Sequence, residues 1–244
     1  MRLTNFHNLP DIVVDALSTN HYSRGESDIS ITSLIDSPRV KLLQEKHNEE
    51  MEQDVSEMIW SSFGTAVHHL FEERAGTQGE DVISEERIFA ESNGWTISGA
   101  IDLQQIEDGA VIISDYKVTS VWSVIFGKKE WETQLNCYAG LVRMAKQMPV
   151  KELRIIAVLR DWQRRKAQME DTYPQSPITV VNIPMWSEQE AFDYLDSRVK
   201  LHQSASFEAQ TNGVLPQCSP QERWQKDTTY AVMKKNRVRA IKIH

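Results

Sequence analysis

Two acids and a lysine lie at positions that a single hairpin would bring together. The stretch IISDYKVTS contains Asp115 and Lys117, and the strand-like run before it, WTISGAIDL, contains Asp102. Between the two runs, Asp108-Gly109 is a strong signal for a two-residue turn. If the residues that flank this turn pair with each other, counting back along the antiparallel ladder places Asp102 directly opposite Asp115.

This placement would create a cluster of charges that requires compensation. Opposite residues in an antiparallel ladder share a face, with Cβ atoms roughly 4.5–5.5 Å apart, so Asp102 and Asp115 would repel each other. Strand alternation puts Lys117 on the same face, opposite the small side chain of Ala100. A divalent cation between the acids would offset the repulsion, and Lys117 would neutralise or orient a reacting group. The alternative is a solvated hairpin end where Asp102 binds Lys117 or another base.

The segment before the hairpin predicts a helix that carries a histidine. The helix is expected from about Val55 to Glu73, and Asp54 with Glu57 resembles a capping box at its start. Apolar residues at helical spacing indicate it, namely Val55, Ile59, Phe63, Ala66 and Leu70.

Within this helix, the stretch FGTAVHHLFE places Gly64 four residues before His68, so the two share a helical face. The missing side chain of Gly64 predicts that a neighbouring strand or loop comes close beside the His68 ring. His68 is then either a metal ligand or an ordinary packed histidine. His69 points elsewhere and is expected at the surface.

The segment after the hairpin, EWETQLNCYAGLVRMA, predicts a second helix from about Lys129 to Lys146. Gln134 and Tyr138 are four residues apart in it, so an amide and a phenol share one face. Taken singly, the pair also fits a helix whose tyrosine packs and whose glutamine faces water. The neighbouring apolar stripe consists of Trp131, Leu135 and Val142.

The remaining pattern predicts one α/β domain over residues 1–213 and a basic tail over 214–244 that packs on it. Short helices are expected before residue 50, with Pro38 opening one of them. Strands are expected near 82–90, 95–105 and 110–118, and in ELRIIAVLRD and ITVVNIPM. A helix is expected from Ser187 to about Gln203, and a small hairpin in the tail stretch YAVMKKNRVRAIKI.

Composition limits the kinds of protein this can be. The chain has 244 residues with a net charge of −8, of which the tail contributes +5 and the rest −13. Cys137 and Cys218 are too few for a disulfide framework, a zinc knuckle or a four-cysteine iron-sulfur cluster. No stretch approaches the roughly 18–20 apolar residues that cross a membrane, and the N-terminus lacks a signal region. These features favour a soluble protein of the cytoplasm.

Four short motifs in this order resemble the PD-(D/E)XK nuclease superfamily, in particular its RecB-like branch. The motifs are GTAVH at 64–68, GAID at 99–102, DYK at 115–117 and QLNCY at 134–138, which together span about 75 of the 244 residues. The resemblance implies a restriction-endonuclease-like core, in which a mixed central sheet is flanked by helices. Ile101 stands where many members have a proline before the acid.

The resemblance also implies roles for the motif residues. Lys117 would position and help activate the attacking water. Gln134 and Tyr138 would support Lys117 and contact the DNA backbone. Mg²⁺ or Mn²⁺ would bind to His68, Asp102, Asp115 and the backbone carbonyl of Tyr116, whose ring points away from the acids. No iron-sulfur cluster is expected.

The function implied is a metal-dependent DNA nuclease, specifically an exonuclease in recombination, repair or degradation. It would resemble stand-alone phage enzymes, would act in the cytoplasm of a bacterium or an infected host, and would act alone or with a recombination or helicase partner. A noncatalytic DNA-binding adaptor and a junction endonuclease are the alternatives. Basic residues could contact DNA phosphates or merely solubilise the surface, and they are Arg160, Arg164, Arg165, Lys166, Lys234, Lys235, Arg237, Arg239 and Lys242.

Overall fold

The computed structural model describes residues 1–19, 25–235 and 237–243, with the backbone alone at Ile243. The helices are α1 (Asp11–Ser18), α2 (Ile31–Ile35), α3 (Pro38–His47), α4 (Ile59–Ala75), α5 (Val121–Phe126), α6 (Lys129–Lys146), α7 (Arg164–Met169) and α8 (Glu188–Asn212), with a 3₁₀ turn at Val55–Met58. The strands are β1 (Arg2–Thr4), β2 (Ile29–Ser30), β3 (Glu52–Asp54), β4 (Val82–Ser92), β5 (Trp95–Glu107), β6 (Ala110–Thr119), β7 (Val150–Leu159), β8 (Ile178–Ile183), β9 (Ala231–Val232) and β10 (Lys242–Ile243).

The central sheet is mixed, because it contains both antiparallel and parallel pairs of strands. β4, β5 and β6 are antiparallel neighbours, β6 and β7 run parallel, and β8 is antiparallel to β7. β4 pairs with one edge of β5 from Trp95 to Gln105. The two-residue β2 and the long β6 must therefore share the other edge of β5, at Ile97–Ser98 and Leu103–Glu107 respectively.

Helices cover both faces of this sheet, which confirms the predicted fold class. On one face, α6 brings Leu135 and Leu141 into the main core, and α8 adds Leu195 behind it. On the other face, α4 closes a smaller cluster around Leu103 and Tyr116. The sheet is thus buried deeply on the α6 side and more lightly on the α4 side.

The predicted elements around the motifs are confirmed, including the three strands and the helix at 129–146. Pro38 is the first residue of α3, as predicted. The last long helix extends well past the predicted end near Gln203, to Asn212. Beyond Gln203 the helix still buries Ala205, and it ends where Gly213 adopts a left-handed backbone.

The apolar stripe that predicts α4 is not buried. Ile59, Phe63 and Leu70 are each more than 40% exposed, although the helix itself forms. The face that meets the sheet is the opposite one, which carries Phe71 and Ala75. The pattern therefore identified the helix, while the residues that contact the sheet lie on a different face.

Asp54 organises the N-terminal region in a way that the sequence did not predict. β1 pairs in parallel with β3, ending at Thr4 and Asp54. The Asp54 carboxylate then accepts hydrogen bonds from Phe6 N at 2.7 Å and Ser56 N at 3.1 Å. Bonds to the Ser56 side chain and to Phe6 N lower the pKa of Asp54 to about 2. The cap uses Ser56 instead of the Glu57 position that a capping box requires.

Part of the tail packs on the domain, and its end forms the predicted hairpin. The Arg39 guanidinium donates to Pro216 O at 3.0 Å, and Arg198 lies 3.7 Å from Glu222. β9 and β10 pair antiparallel, while Asn236 between them lies outside the described residues. Among the described helices, none has the length and apolarity needed to span a bilayer.

We predict that His202 makes the fold sensitive to mild acid. Its side chain is 2% exposed, and its Nε2 lies 3.1 Å from Leu34 O. Burial and the positive charge of Arg198 lower the pKa of His202 from 6.5 to about 4. Since the unfolded chain takes up this proton first, stability should fall as the pH drops from about 6.5 to 4, by up to roughly 3 kcal/mol.

Urea unfolding across this pH range tests the prediction, with His202→Gln as the comparison. Glutamine keeps a donor for Leu34 O but does not titrate, so the variant should lose less stability on acidification. Parallel losses in both proteins would show that other groups cause the acid sensitivity.

Candidate functional site

Asp115 and Lys117 form the most buried charged pair at the end of β6. The Asp115 side chain is 2% exposed, and its Oδ2 lies 2.5 Å from Lys117 Nζ. Its other oxygen accepts a hydrogen bond from Gln134 Nε2 at 3.1 Å, and this amide is also 2.8 Å from the Tyr138 hydroxyl. Four of the predicted site residues therefore form one chain of polar contacts across β6 and α6.

The predicted hairpin register is confirmed, but it ends one pair before Asp102. β5 and β6 pair from Glu107↔Ala110 to Leu103↔Ser114, and the predicted Asp102–Asp115 pair does not form. The ladder also does not extend to Ala100, so the predicted placement of Lys117 opposite it is wrong as well. The cause is a separation of β5 from β6 beyond Leu103.

Tyr116 sits where the two strands separate, and its backbone finds other partners. A regular ladder would join Tyr116 N–H and C=O to Ile101 on β5. Instead, Asp102 Oδ2 accepts from Tyr116 N at 2.7 Å, and Tyr116 O lies 3.0 Å from His68 Nε2. The Tyr116 ring packs at 4.7 Å from Phe71 and edge-on to His68.

Glu85 joins the site because β4 changes face beside Asp102. Val82 packs in the α4 cluster, whereas Ile88 lies in the α6 core, although strand alternation would put both on one face. The change occurs at Glu85, which has a φ of 50° and does not pair with Asp102. The Glu85 side chain is thereby brought to His68.

His68, Glu85 and Asp102 meet closely enough to share an ion. His68 Nδ1 is 3.5 Å from Glu85 Oε1 and 3.6 Å from Asp102 Oδ2. All three candidate ligand atoms lie within 4.8 Å of one another. Glu85 Oε1 is shielded from solvent and has no hydrogen-bond partner among the described residues. One imidazole nitrogen and two carboxylate oxygens can together hold a divalent cation.

The electrostatics of the cluster also favour an added cation. Burial and the charge of Asp115 together raise the pKa of Asp102 to about 7, against the opposing effects of His68 and Lys117. Burial alone would lower the pKa of His68, but the nearby carboxylates of Glu85, 3.5 Å from its Nδ1, and Asp102 raise it overall. Three carboxylates thus face two basic groups in a poorly solvated space.

The structure brings together the predicted site residues with some changes in their contacts. His68 and Asp102 are adjacent, while Asp115 is directed to Lys117 and Gln134. Gln134 contacts both Tyr138 and Asp115, and Asp115 in turn pairs with Lys117. Sequence reasoning missed Glu85, and the available signal was the pair of adjacent acids, Glu85 and Glu86, within the predicted strand.

The two predicted basic clusters lie in different parts of the chain. Arg160 follows β7, and Arg164 and Arg165 begin α7, all three exposed. Lys166 lies 5.8 Å from the Tyr173 ring. The second cluster is exposed in the tail and consists of Lys234, Lys235, Arg237, Arg239 and Lys242.

Comparisons with known proteins give low similarity. No protein-family model matches the chain, and no curated protein matches it. The solved structure of SSO0001 is 15% identical, with 78% of this chain and 82% of that one covered and a TM-score of 0.49. A Eubacterium rectale structure described as "Putative exonuclease" is 13% identical, with 84% and 74% covered and a TM-score of 0.39. Because both scores are below 0.5, the function proposed below rests on the site.

Gly99, and not Gly64, is the glycine that permits a close approach in this site. A Cβ at Gly99 would lie 2.7 Å from the Tyr138 ring and 2.9 Å from Leu141, whereas one at Gly64 would meet nothing within 4 Å. The expectation for Gly64 was therefore wrong. Tyr138 occupies its place beside Gln134 because β5 has no side chain at position 99.

We predict opposite effects of alanine at these two glycines. Gly99→Ala should destabilise the fold by about 1–3 kcal/mol, because the ring and Leu141 must move. Gly64→Ala should stabilise it by about 0.5–1 kcal/mol, since it adds only helix propensity. Chemical denaturation of both variants measures the difference, and a stable Gly99→Ala protein would contradict the packing described.

Proposed function

We propose that this protein is a metal-dependent nuclease that hydrolyses phosphodiester bonds of DNA, acting as an exonuclease of the PD-(D/E)XK superfamily and its RecB-like branch. The observation that carries the proposal is the buried Asp115–Lys117 pair beside the cluster of His68, Glu85 and Asp102. The chemistry of these groups supports it, because the acids can bind a cation and the adjacent lysine can donate a hydrogen bond to the reacting water. The order of the four motifs along the chain agrees with it.

The metal would be Mg²⁺ or Mn²⁺. His68, Glu85 and Asp102 would hold it, with Asp115 and the Tyr116 carbonyl at the margin of the same cluster. When bound, such an ion polarises the scissile phosphate and lowers the pKa of a coordinated water. Its positive charge would also relieve the repulsion between the buried carboxylates.

Lys117 is the residue that would serve the attacking water. Asp115 holds its Nζ by an ion pair, so the ammonium keeps a fixed position at the end of β6. Its remaining N–H groups can donate to a water or to a phosphate oxygen. Gln134 in turn orients Asp115, and Tyr138 lies beside that amide. These two residues would act by positioning the pair.

We predict that Glu85 contributes to metal affinity. Titration calorimetry with Mn²⁺ and without DNA should show binding by the wild type and weaker binding by Glu85→Gln. The loss should be at least the roughly 10- to 100-fold that removal of an outer-shell partner costs. The matched control is Glu86→Gln, because Glu86 contacts Lys146 and Gln104 on the other face of the strand. Equal affinities for the two variants would exclude Glu85 as a ligand.

We predict metal-dependent cleavage of labelled linear DNA by the wild type in Mg²⁺ or Mn²⁺. Lys117→Ala should lower the rate roughly 100-fold or more, as loss of an electrostatic catalytic group does. Lys151→Ala should have little effect, because Lys151 lies at the opposite end of the sheet beside Glu107.

DNA labelled separately at its 5′ and 3′ ends, together with a closed circle, gives the mode of cleavage. An intact circle beside a degraded linear strand supports the exonuclease, and a cut circle contradicts it. No cleavage by a folded, DNA-binding wild type would favour a noncatalytic adaptor.

A further inference from the structure

We call the open space beside Gly64, on the side of α4 that carries His68, the groove. The C-terminal half of α4 packs closely, since Phe71 and Ala75 contact the Tyr116 and Leu103 cluster. Gly64 lies one turn before His68 on nearly the same side of the helix. Even so, a Cβ built there would meet nothing within 4 Å. The N-terminal half of α4 therefore faces open space just beside the candidate metal cluster.

Trp60 and Arg160 lie at the end of this groove that is farther from His68. The Arg160 guanidinium lies 4.7 Å from the centre of the Trp60 ring, and Trp60 keeps 56% of its surface exposed. Arg160 N donates to Thr119 O at 3.0 Å. Because Thr119 follows Lys117 by two residues on β6, this bond places Arg160 close to the end of β6 that carries Lys117. Trp60 precedes His68 by eight residues, or roughly 12 Å along the helix.

This combination matches the chemistry of an unpaired nucleotide strand. An exposed indole can stack on a base, while cationic side chains contact the phosphates beside it. A base inside a duplex already has both faces covered, so an unpaired base is the partner that Trp60 can accept. Arg160, with the exposed Arg164 and Arg165 after it, supplies positive charge beside Trp60.

We propose that Trp60 and Arg160 form a binding site for a single-stranded DNA end, which runs along the groove past Gly64 to the cluster at His68. The inference rests on the proposed nuclease function and specifies its substrate as an unpaired strand. Trp60 stacks on a base about two helical turns from the metal cluster. Arg160 holds the indole in place and neutralises phosphate charge.

Binding of a fluorescein-labelled oligothymidylate in EDTA tests the site without cleavage. Trp60→Ala should weaken binding roughly 5- to 100-fold, the effect of losing one stacked base. Trp60→Phe should keep much of the affinity, because it retains an aromatic face. Trp224→Ala should bind as the wild type does, since Trp224 is a comparably exposed indole in the tail.

A second pair of variants tests the groove itself. Gly64→Leu should weaken binding by filling the open space, whereas Ala66→Leu adds the same side chain to the exposed outer side of α4 and should not. This pair carries the test if Trp60→Ala does not fold. A blunt duplex should compete poorly for the labelled strand.

The outcomes separate this inference from the proposed function. Unchanged oligothymidylate binding by both Trp60→Ala and Gly64→Leu, or equal competition by duplex, would overturn the groove even if the wild type cleaves DNA. Binding that depends on Trp60, with no cleavage in any divalent metal, would support the groove and sink the nuclease.

Discussion

The candidate site depends on the point where β5 separates from β6. Beyond Leu103, the backbone N–H and C=O of Tyr116 lose their partners on β5. Buried backbone groups left unpaired would cost about 1–3 kcal/mol each. Asp102 and His68 fill these positions, and in doing so their own side chains become fixed. The contacts that satisfy the Tyr116 backbone are therefore the same contacts that hold Asp102 and His68 in the candidate site.

The separation also distributes the charges into two adjacent groups. Asp115 is almost fully buried, and an ion pair with Lys117 and a hydrogen bond from Gln134 hold it. Asp102 has weaker compensation, and its pKa is raised to about 7. Glu85 adds a further carboxylate on the same side. This excess of negative charge would favour the binding of a divalent cation, whose charge would then balance the carboxylates.

The two halves of α4 differ because only one of them is needed for packing. Its C-terminal half, with Phe71 and Ala75, covers the thin core on that face of the sheet. Its N-terminal half carries Gly64 and Trp60 over open space. One continuous helix therefore packs on the sheet with its C-terminal half and borders the groove with its N-terminal half. His68 lies between the two halves.

The sequence by itself determined the elements around the four motifs, the hairpin register near the turn, and six of the residues that meet at the site. Local signals suffice for these, because helical spacing, strand alternation and Asp-Gly turns act over a few positions. The tertiary structure decided which face of α4 is buried, where β5 and β6 separate, and that Glu85 faces His68. Each depends on contacts between segments far apart in the chain. The left-handed backbone at Glu85 also moves the following residues of β4 to the other face of the sheet, and no local sequence signal marks this change.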